Sequence, residues 1–515
     1  MLNQALVRNA QIHPARLAVV APGRHRTWSV LRDDVARLAF QLNQRGVGRG
    51  DRVALLAANS DRYLEVSMAV SWAGAVLTPL NTRWSQAELV YALSDCKASL
   101  LIVDESFASQ GLEAAAVAAI PVAQAPVAYA VVDIDNLFAG RSTDEAPLVR
   151  LAPTDMAGVY YTGGTTGAPK GVMVSPQGLW ASGIAFMAEA GISARARYLH
   201  VAPMFHLADV ALSLAGTIAG ATHYFLPTFE PAATLKAVAE HRITHLLLVP
   251  TMLRMVLAHP DCGDADLTSL ECLAYGASPI DETTLLDAIY RLPECGFIQG
   301  YGQSELSPLI SVLPPERHTL EGPAAGKLRS AGRASLCVEL EVVRSDDTPA
   351  PSMEVGEVRV RGPGAMLGYW NKPEETAATL RDGWVYTGDA GYLDGDGFLF
   401  LVDRLKDMIV SGGENVYSAE VENVLAAHPA VGQVAVIGVP DERWGERVHA
   451  IIILRPDRSV EPQELIDWCR GRIANYKAPR SVSLREEPFP LSAAGKVLKR
   501  ALRAPFWPDN GRLVS

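Results

Sequence analysis

No two cysteines in this sequence stand at CxxC spacing. Six cysteines (Cys96, Cys262, Cys272, Cys295, Cys337 and Cys469) are scattered over 515 residues. That pattern argues against a disulfide scaffold or a structural metal and suits a reducing cytoplasm. An excess of positive charge is also missing. The formal net charge is −11, which argues against nucleic acid as a partner. Long unbroken apolar runs are absent. Residues 114–132 are mostly alanine and are broken by Pro121 and Pro126, while residues 210–227 carry His223 and follow Asp209. Neither offers the roughly 20 strongly apolar residues of a membrane span, so both read as buried elements and no transmembrane segment is expected. The first thirty residues lack the basic start, apolar run and small-residue cleavage site of a secretory signal. No period of 20–50 residues repeats, which argues against solenoids and propellers.

What is present is a well-filled globular composition, 49% apolar and 20% charged, on a chain long enough for two or more domains. Charge is uneven along it. From Arg404 to the end there are 16 basic and 14 acidic residues, against 30 and 43 before that point. A basic tail on an acidic body is a clue that the tail meets an anion, although a solvated helix face gives the same count. Short apolar runs ending in Asp, Pro, Gly or Asn alternate with helical spacing: RVALLAAN (52–59), VLTPL (76–80), LLIVDE (101–105 and the residue before), THLLLVPT (244–251) and LECLAYGAS (270–278). This is the pattern of a parallel α/β sheet, whose ligands bind beyond the C-terminal strand ends. Near residue 330 the texture becomes alternating and turn-rich, predicting a smaller antiparallel β region. Past Arg404 the chain reads as a compact α+β unit.

One segment concentrates chemistry. YYTGGTTGAPKGVMVS (160–175) holds four glycines, three threonines and one lysine. Successive glycines let backbone N–H groups converge on phosphate oxygens; Thr162, Thr165 and Thr166 add hydroxyls and Lys170 a point charge. Pro169 stands before the lysine, so this is not a Walker A loop. A plain turn between strands is the alternative reading. The segment resembles the phosphate loop of the adenylate-forming superfamily, which includes acyl- and aryl-CoA synthetases. Four further stretches resemble that family in order: YGQSE (301–305), YTGD (386–389), DRLKDMIVSGGENVYSAEVE (403–422) and PLSAAGK (490–496). The resemblance spans nearly the whole chain.

The resemblance implies an α/β fold: a large N-terminal domain (1–403) of two parallel-type α/β sheets plus a small β-barrel region, and a small mobile C-terminal α+β lid (404–515) hinged at about 404–406. It implies two reactions. A carboxylate attacks the α-phosphorus of ATP to give an acyl-adenylate and pyrophosphate; the thiol of coenzyme A then attacks the acyl carbonyl and expels AMP. Thr162, Gly163, Gly164, Thr165, Thr166, Gly167 and Lys170 would grip the phosphates, since attack of one anion on another needs neutralised charge. Glu305, with Thr162, would hold Mg²⁺. Ser304 stands where the family usually has Thr and would meet the α-phosphate. Gly276, Ala277, Ser278, Gln299, Gly300, Tyr301 and Gly302 match the segments around adenine. Asp389 and Arg404 would take the ribose hydroxyls. Lys496, a compact charge on a flexible stem, would bridge the attacking carboxylate and the α-phosphate. Lys406 falls at the hinge, and Gly412 and Gly413 would flank the pantetheine arm. Trp444, Tyr476 and Arg480 are candidates for the nucleotide of coenzyme A, with a core aromatic or a surface arginine as the ordinary reading. Ala478 stands where a relative often has a basic residue. His206, in PMFHLAD, matches an aromatic or His at the acyl-pocket entrance. A buried His with a backbone partner is its ordinary reading. The other histidines form no cluster.

The expected activity is that of an ATP-dependent, AMP-forming carboxylic acid:CoA ligase acting on fatty acids of medium or long chain. An aryl-acid ligase of benzoate or cinnamate type is the alternative, as is an adenylation enzyme loading a carrier protein, although only 19 residues follow Lys496. A non-enzymatic nucleotide-binding relative is a further alternative, countered by retention of Lys170, Glu305, Asp389, Arg404 and Lys496. The expected partners are the acid, ATP and coenzyme A; a homodimer and loose contact with a membrane surface are compatible with the sequence. The acyl pocket is expected near Phe186, residues 206–209, Thr251 and residues 306–309, a mostly apolar set.

Overall fold

The structure is a computed structural model that describes residues 2–118, 131–134, 137, 143–162, 169–278, 280–404, 407–411, 414–491 and 497–507. The chain divides into two compact units. One comprises Met1–Leu340 with Val360–Val385, the other Glu341–Arg359 with Tyr386–Ser515.

The first unit is built on two sheets. The larger has nine strands in the order Arg333–Ala334, Leu309–Leu313, Gly296–Gly302, Cys272–Gly276, His245–Leu248, Arg197–His200, Thr222–Phe225, Leu17–Ala21 and Arg24–Thr27. From Gly296–Gly302 through Leu17–Ala21 the pairs are parallel, and both ends turn antiparallel. The second sheet has seven strands in the order Gly368–Tyr369, Lys170–Val174, Gly158–Thr162, Val76–Pro79, Arg52–Leu56, Leu100–Val103 and Val131–Asp133. It is parallel from Gly158–Thr162 onward. The short apolar runs found in the sequence are these strands, and four-residue runs such as His245–Leu248 are buried throughout, as strands covered on both faces must be.

Local chemistry sets the helix starts. Ser175 caps Pro176–Glu189 by accepting from the Gly178 amide at 3.0 Å, with proline at the first helical position, the arrangement that satisfies orphan donors and presets φ. Ser85 and Glu88 make a reciprocal capping box at Gln86–Cys96, satisfying two such donors at once. Helix Pro176–Glu189 lies hard against helix Leu207–Ala219. A Cβ on Gly183 would stand 3.0 Å from Leu214 Cγ and 3.2 Å from Ile218. The apolar stretch 210–227 is thus a helix followed by the strand Thr222–Phe225. No helix among the described residues is long and apolar enough to cross a membrane.

In the second unit, Ser481–Leu484 and Val431–Asp441 flank Gly445–Leu454, and Ile409–Ser411 and Glu414–Val416 complete a five-stranded sheet. Helices Ser418–Ala426 and Pro462–Arg470 bury Val421, Leu425 and Leu465 in a core with Val436, Val448 and Ile452. Residues 341–343, 356–359, 386–393 and 399–404 of this unit lie in a further sheet. Its strands Trp384–Leu393 and Leu399–Arg404 pair antiparallel, as the alternating pattern past residue 330 predicts.

Candidate active site

Strands Gly158–Thr162 and Lys170–Val174 are antiparallel partners with Thr162 opposite Lys170. The glycine-rich segment therefore joins the two strands of a hairpin; Gly163, Gly164, Thr165, Thr166 and Gly167 themselves lie outside the described residues. The hairpin walls are tightly packed. A Cβ on Gly171 would come 2.8 Å from Val159 and 3.1 Å from Tyr161, and the Tyr161 hydroxyl donates to Asp95 at 2.6 Å.

Lys170 is held in a way the sequence did not disclose. Its ammonium stands 4.8 Å from the centroid of the Tyr369 ring, a cation–π distance. The Tyr369 hydroxyl donates to Glu305 Oε1 at 2.7 Å. Burial and then the Glu305 carboxylate push the Tyr369 phenol well above its ordinary pKa, so it remains a donor at neutral pH. Tyr369 pairs with Val172 on the seven-stranded sheet, whereas Glu305 directly follows a strand of the nine-stranded one. Tyr369 thereby joins the sheets of the first unit and sets Lys170 and Glu305 in one cluster. The Met366 amide donates to the Glu305 carbonyl at 2.8 Å and the Ser307 hydroxyl to the Gly364 carbonyl at 2.8 Å, which stitch the same seam.

Gly276 and Gly300 lie opposite each other on adjacent parallel strands. A Cβ on Gly276 would fall 2.2 Å from the Gly300 carbonyl oxygen, and one on Gly302 would fall 1.8 Å from that of Pro308. These glycines let backbone approach backbone more closely than any side chain would allow. Ala277 takes φ +64°, a left-handed conformation uncommon for a residue with a Cβ and often found at ligand sites. Gln299 accepts from the Tyr275 hydroxyl at 3.5 Å. Ser278, Tyr301 and Ser304 are partly exposed. All of these candidates gather at the C-terminal ends of two parallel strands, as such sheets require of a ligand site.

His206 caps Leu207–Ala219 without a side-chain cap bond, and its ring lies 4.5 Å from that of Phe205. Two expectations nearby are overturned. Asp209 does not line a pocket: it is 1% exposed, accepting from the Tyr198 hydroxyl at 2.8 Å and pairing with His200 Nδ1 at 2.8 Å. His206 is the extended residue before the helix, whereas Asp209 lies in its first turn and meets Tyr198 and His200 of the strand Arg197–His200. The histidines do cluster, since His200 Nε2 and His223 Nδ1 are 2.9 Å apart and both side chains are buried. Burial and the neighbouring His200 hold His223 far below its ordinary pKa. A neutral His223 donating to His200, which donates to Asp209, accounts for both contacts of the His200 ring.

In the second unit, Asp389 and Arg404 are cross-strand partners, with Arg404 Nε 3.0 Å from Asp389 Oδ1. The two ribose candidates are thereby one ion pair. The Asp389 amide donates to Thr387 Oγ1 at 3.1 Å, and that hydroxyl donates to the Val358 carbonyl at 2.7 Å. Trp444 and Arg480 also come together: the Arg480 guanidinium lies 4.6 Å from the indole centroid and that of Arg443 lies 4.7 Å from it. Tyr476 is exposed, with the Lys477 ammonium 5.8 Å from its ring. Ala478 is buried in the core of this unit, where a longer basic side chain would have no room; the cation facing out nearby is Arg480. Lys406, Gly412, Gly413 and Lys496 lie outside the described residues.

Among the described residues no three His, Cys, Asp or Glu side chains group closely enough to hold a metal. Glu305, with one oxygen fixed by Tyr369, is a single hard donor. Mg²⁺ is bound in that way, by one or two carboxylates plus substrate phosphates, so the residues fit it. When bound there, Mg²⁺ supplies positive charge to phosphate oxygens.

Two α/β sheets meeting at a glycine-rich hairpin, with a lysine and a carboxylate at the seam, define an adenylate-forming ligase. The chain belongs to the AMP-binding enzyme family, whose model matches residues 6–370, with the AMP-binding enzyme C-terminal domain matching 420–496. It is an AMP-forming acid–CoA ligase that uses ATP, Mg²⁺ and coenzyme A. It is 39% identical over 511 residues to a feruloyl-CoA synthase of an Amycolatopsis species, covering 98% of this chain and 100% of that one. It is 37% identical over 504 residues to the medium/long-chain-fatty-acid–CoA ligase FadD8 of Mycobacterium tuberculosis, covering 95% and 87%. The solved O-succinylbenzoate coenzyme A synthetase of Bacillus subtilis, in complex with ATP and magnesium ion, superposes with a TM-score of 0.84 at 30% identity, covering 97% and 98%.

Proposed function

We propose that this ligase activates fatty acids of medium or long chain through an acyl-adenylate. The cluster of Lys170, Tyr369 and Glu305 carries the reading. It places a cation and an anchored carboxylate together at strand ends, which is what in-line attack on a triphosphate needs. In this reading Thr162, Thr165, Thr166 and Lys170 neutralise the phosphates, and Ser304 meets the α-phosphate. The Gly276–Ser278 and Gln299–Gly302 segments enclose adenine, Asp389 accepts from the ribose hydroxyls with Arg404 orienting it, and Lys496 bridges the attacking carboxylate and the α-phosphate.

The second step needs different surroundings of the same adenylate. We assign residues 404–515 as the lid that exchanges them, with Lys406 at its hinge and Gly412 and Gly413 beside the pantetheine arm. Trp444, Tyr476 and Arg480 receive the nucleotide of coenzyme A. The two guanidiniums gathered at the Trp444 ring support this part, since they offer cations to phosphates. His206 gates the pocket entrance. The described cysteines are all unpaired, in keeping with a reducing cytoplasm.

The apolar, buried side chains of Phe186, Leu306 and Leu309 support an acid with an apolar tail. An aryl acid of cinnamate type is the second reading, favoured by the 39% identity to a feruloyl-CoA synthase. A panel of acids of graded chain length and ring content, scored by AMP release with coenzyme A, separates them. Saturation by octanoate to palmitate with negligible turnover of cinnamates supports the first reading, and the reverse order refutes it. Replacing coenzyme A by a phosphopantetheinylated carrier protein tests the remaining alternative.

A further inference from the structure

The segment that follows the proposed adenylation lysine is tied down by charge. Leu491 and Val497 form an antiparallel bridge, and the Leu498 amide donates to the Pro490 carbonyl at 2.8 Å. The chain on either side of 492–496 is thus pinched into a neck. Helix Lys499–Arg503 begins two residues beyond the bridge, and its Leu502 is buried against Ala435 and Ile437. Its two polar ends reach one region. Lys499, with its side chain 15% exposed, places Nζ 2.5 Å from Ser418 Oγ and 2.7 Å from Glu422 Oε1. Ser418 in turn gives both its amide and its hydroxyl to Asp403 Oδ2, at 2.5 and 2.6 Å, while the other Asp403 oxygen accepts from the Arg404 amide. Arg503 donates to Asp407 Oδ1 at 3.0 Å. Asp403 and Asp407 stand on the two sides of residues 405–406, and the Asp407 and Met408 amides both donate to the Arg404 carbonyl.

Burial alone would lower the Lys499 pKa; Glu422 and Asp403 more than offset it and hold the ammonium above its ordinary value. A half-buried cation matched to this many acceptors is poorly explained as a solvated helix face, because leaving any partner unpaired in such a place is costly. The basic excess of the tail therefore has a local use here besides meeting an anionic ligand.

We propose that Lys499 and Arg503 are positioning residues for adenylation, clamping the base of the Lys496 segment to Asp403, Ser418 and Asp407. The proposal rests on the assignment of Lys496 to the first half-reaction. The clamp ties the residues on both sides of 405–406 to those that follow 492–496, and so holds the adenylation arrangement. Thioester formation, which does not use Lys496, needs no such registration.

The test compares two half-reactions in the full chain: acid-dependent pyrophosphate release, and conversion of premade acyl-adenylate plus coenzyme A to thioester. Misplacing a catalytic group by roughly 1 Å can cost about a hundredfold. Arg503→Gln and Lys499→Met are therefore expected to lower kcat of the first reaction by about ten- to a hundredfold, leave KM for ATP little changed and largely spare the second. Arg503→Lys is expected to restore most of the loss. Equal loss in both half-reactions, or loss that follows the thermal unfolding midpoint and is not restored by Arg503→Lys, overturns the clamp. Lys496→Ala is measured alongside. If it too slows both reactions equally, the assignment of Lys496 fails and the proposal fails with it; a selective Lys496→Ala beside unselective Arg503→Gln and Lys499→Met refutes the clamp alone.

Discussion

Tyr369→Phe removes one oxygen and leaves the ring, which separates the two things this residue does. The lost bond is a phenol donating to a carboxylate at 2.7 Å. A hydrogen bond to a charged group is worth about 1.5–3 kcal/mol, and Glu305 is only partly buried, so water recovers part of that. A net loss of about 1 kcal/mol remains, roughly a fivefold change in an equilibrium constant. Glu305 freed of its donor is less fixed in orientation, so the Mg²⁺ concentration giving half-maximal pyrophosphate release is expected to rise about fivefold. The ring still faces Lys170, so ATP binding measured by calorimetry without Mg²⁺ is expected to be unchanged. Tyr369→Leu removes the ring as well, and the cation–π contact it loses is worth about 0.5–1 kcal/mol. This variant is expected to weaken ATP binding in both conditions. A Tyr369→Phe enzyme with the parental Mg²⁺ dependence would refute the account, whatever its stability.

Gly276→Ala puts a methyl group 2.2 Å from a backbone carbonyl that cannot swing aside; loss of ATP binding by equilibrium dialysis, with lower stability in urea, is expected, whereas Ala277→Gly should be tolerated. Arg26 meets three buried carboxylates, with Nε 3.2 Å from Asp34, Nη1 3.4 Å from Asp61, which Arg24 also pairs, and a further bond to Glu65; Arg26→Met should destabilise by about 3–5 kcal/mol in urea titration at pH 7. His318 is pushed down to about 4 by burial, partly countered by the Pro314 carbonyl. The unfolded chain then binds the extra proton between about pH 6.5 and 4, so this stability is present above pH 6.5 and lost as pH falls to about 4. Unfolding in urea should show about 2 kcal/mol less stability at pH 5 than at pH 7 from this group, and His318→Gln should remove that part of the acid slope.

Much of the site was legible because its residues are local to motifs. Thr162 and Lys170 face each other because the segment between them is a hairpin connection, and a run of glycines and threonines between two apolar runs predicts a loop at such a place. Gly276 and Gly300 were legible for a similar reason: each ends an apolar run in a parallel sheet, and strands in register bring their ends together. Tyr369 was not. It lies 64 residues from the carboxylate it orients and belongs to a two-residue strand, Gly368–Tyr369, too short to show any period. What places it is the pairing of that strand with Lys170–Val174, a tertiary fact. Its only signal in sequence is an aromatic after a glycine.

Asp209 marks the opposite limit. Read along the chain, it extends the PMFHLAD motif toward a pocket. The helix that starts after His206 turns it inward, and there Tyr198 and the His200–His223 pair absorb it. Isolated apolar and polar positions on a helix start carry no sign of which side faces the sheet until the partner strand is known. The partner strands Arg197–His200 and Thr222–Phe225 lie on either side of that helix in sequence and are neighbours in the sheet. Parallel neighbours need a crossover connection, and the helix between them supplies it. Once that is granted, the residue one turn into the helix can only point at His200. Asp209 is therefore legible as a tie between helix and sheet only once the pairing of those two strands is known.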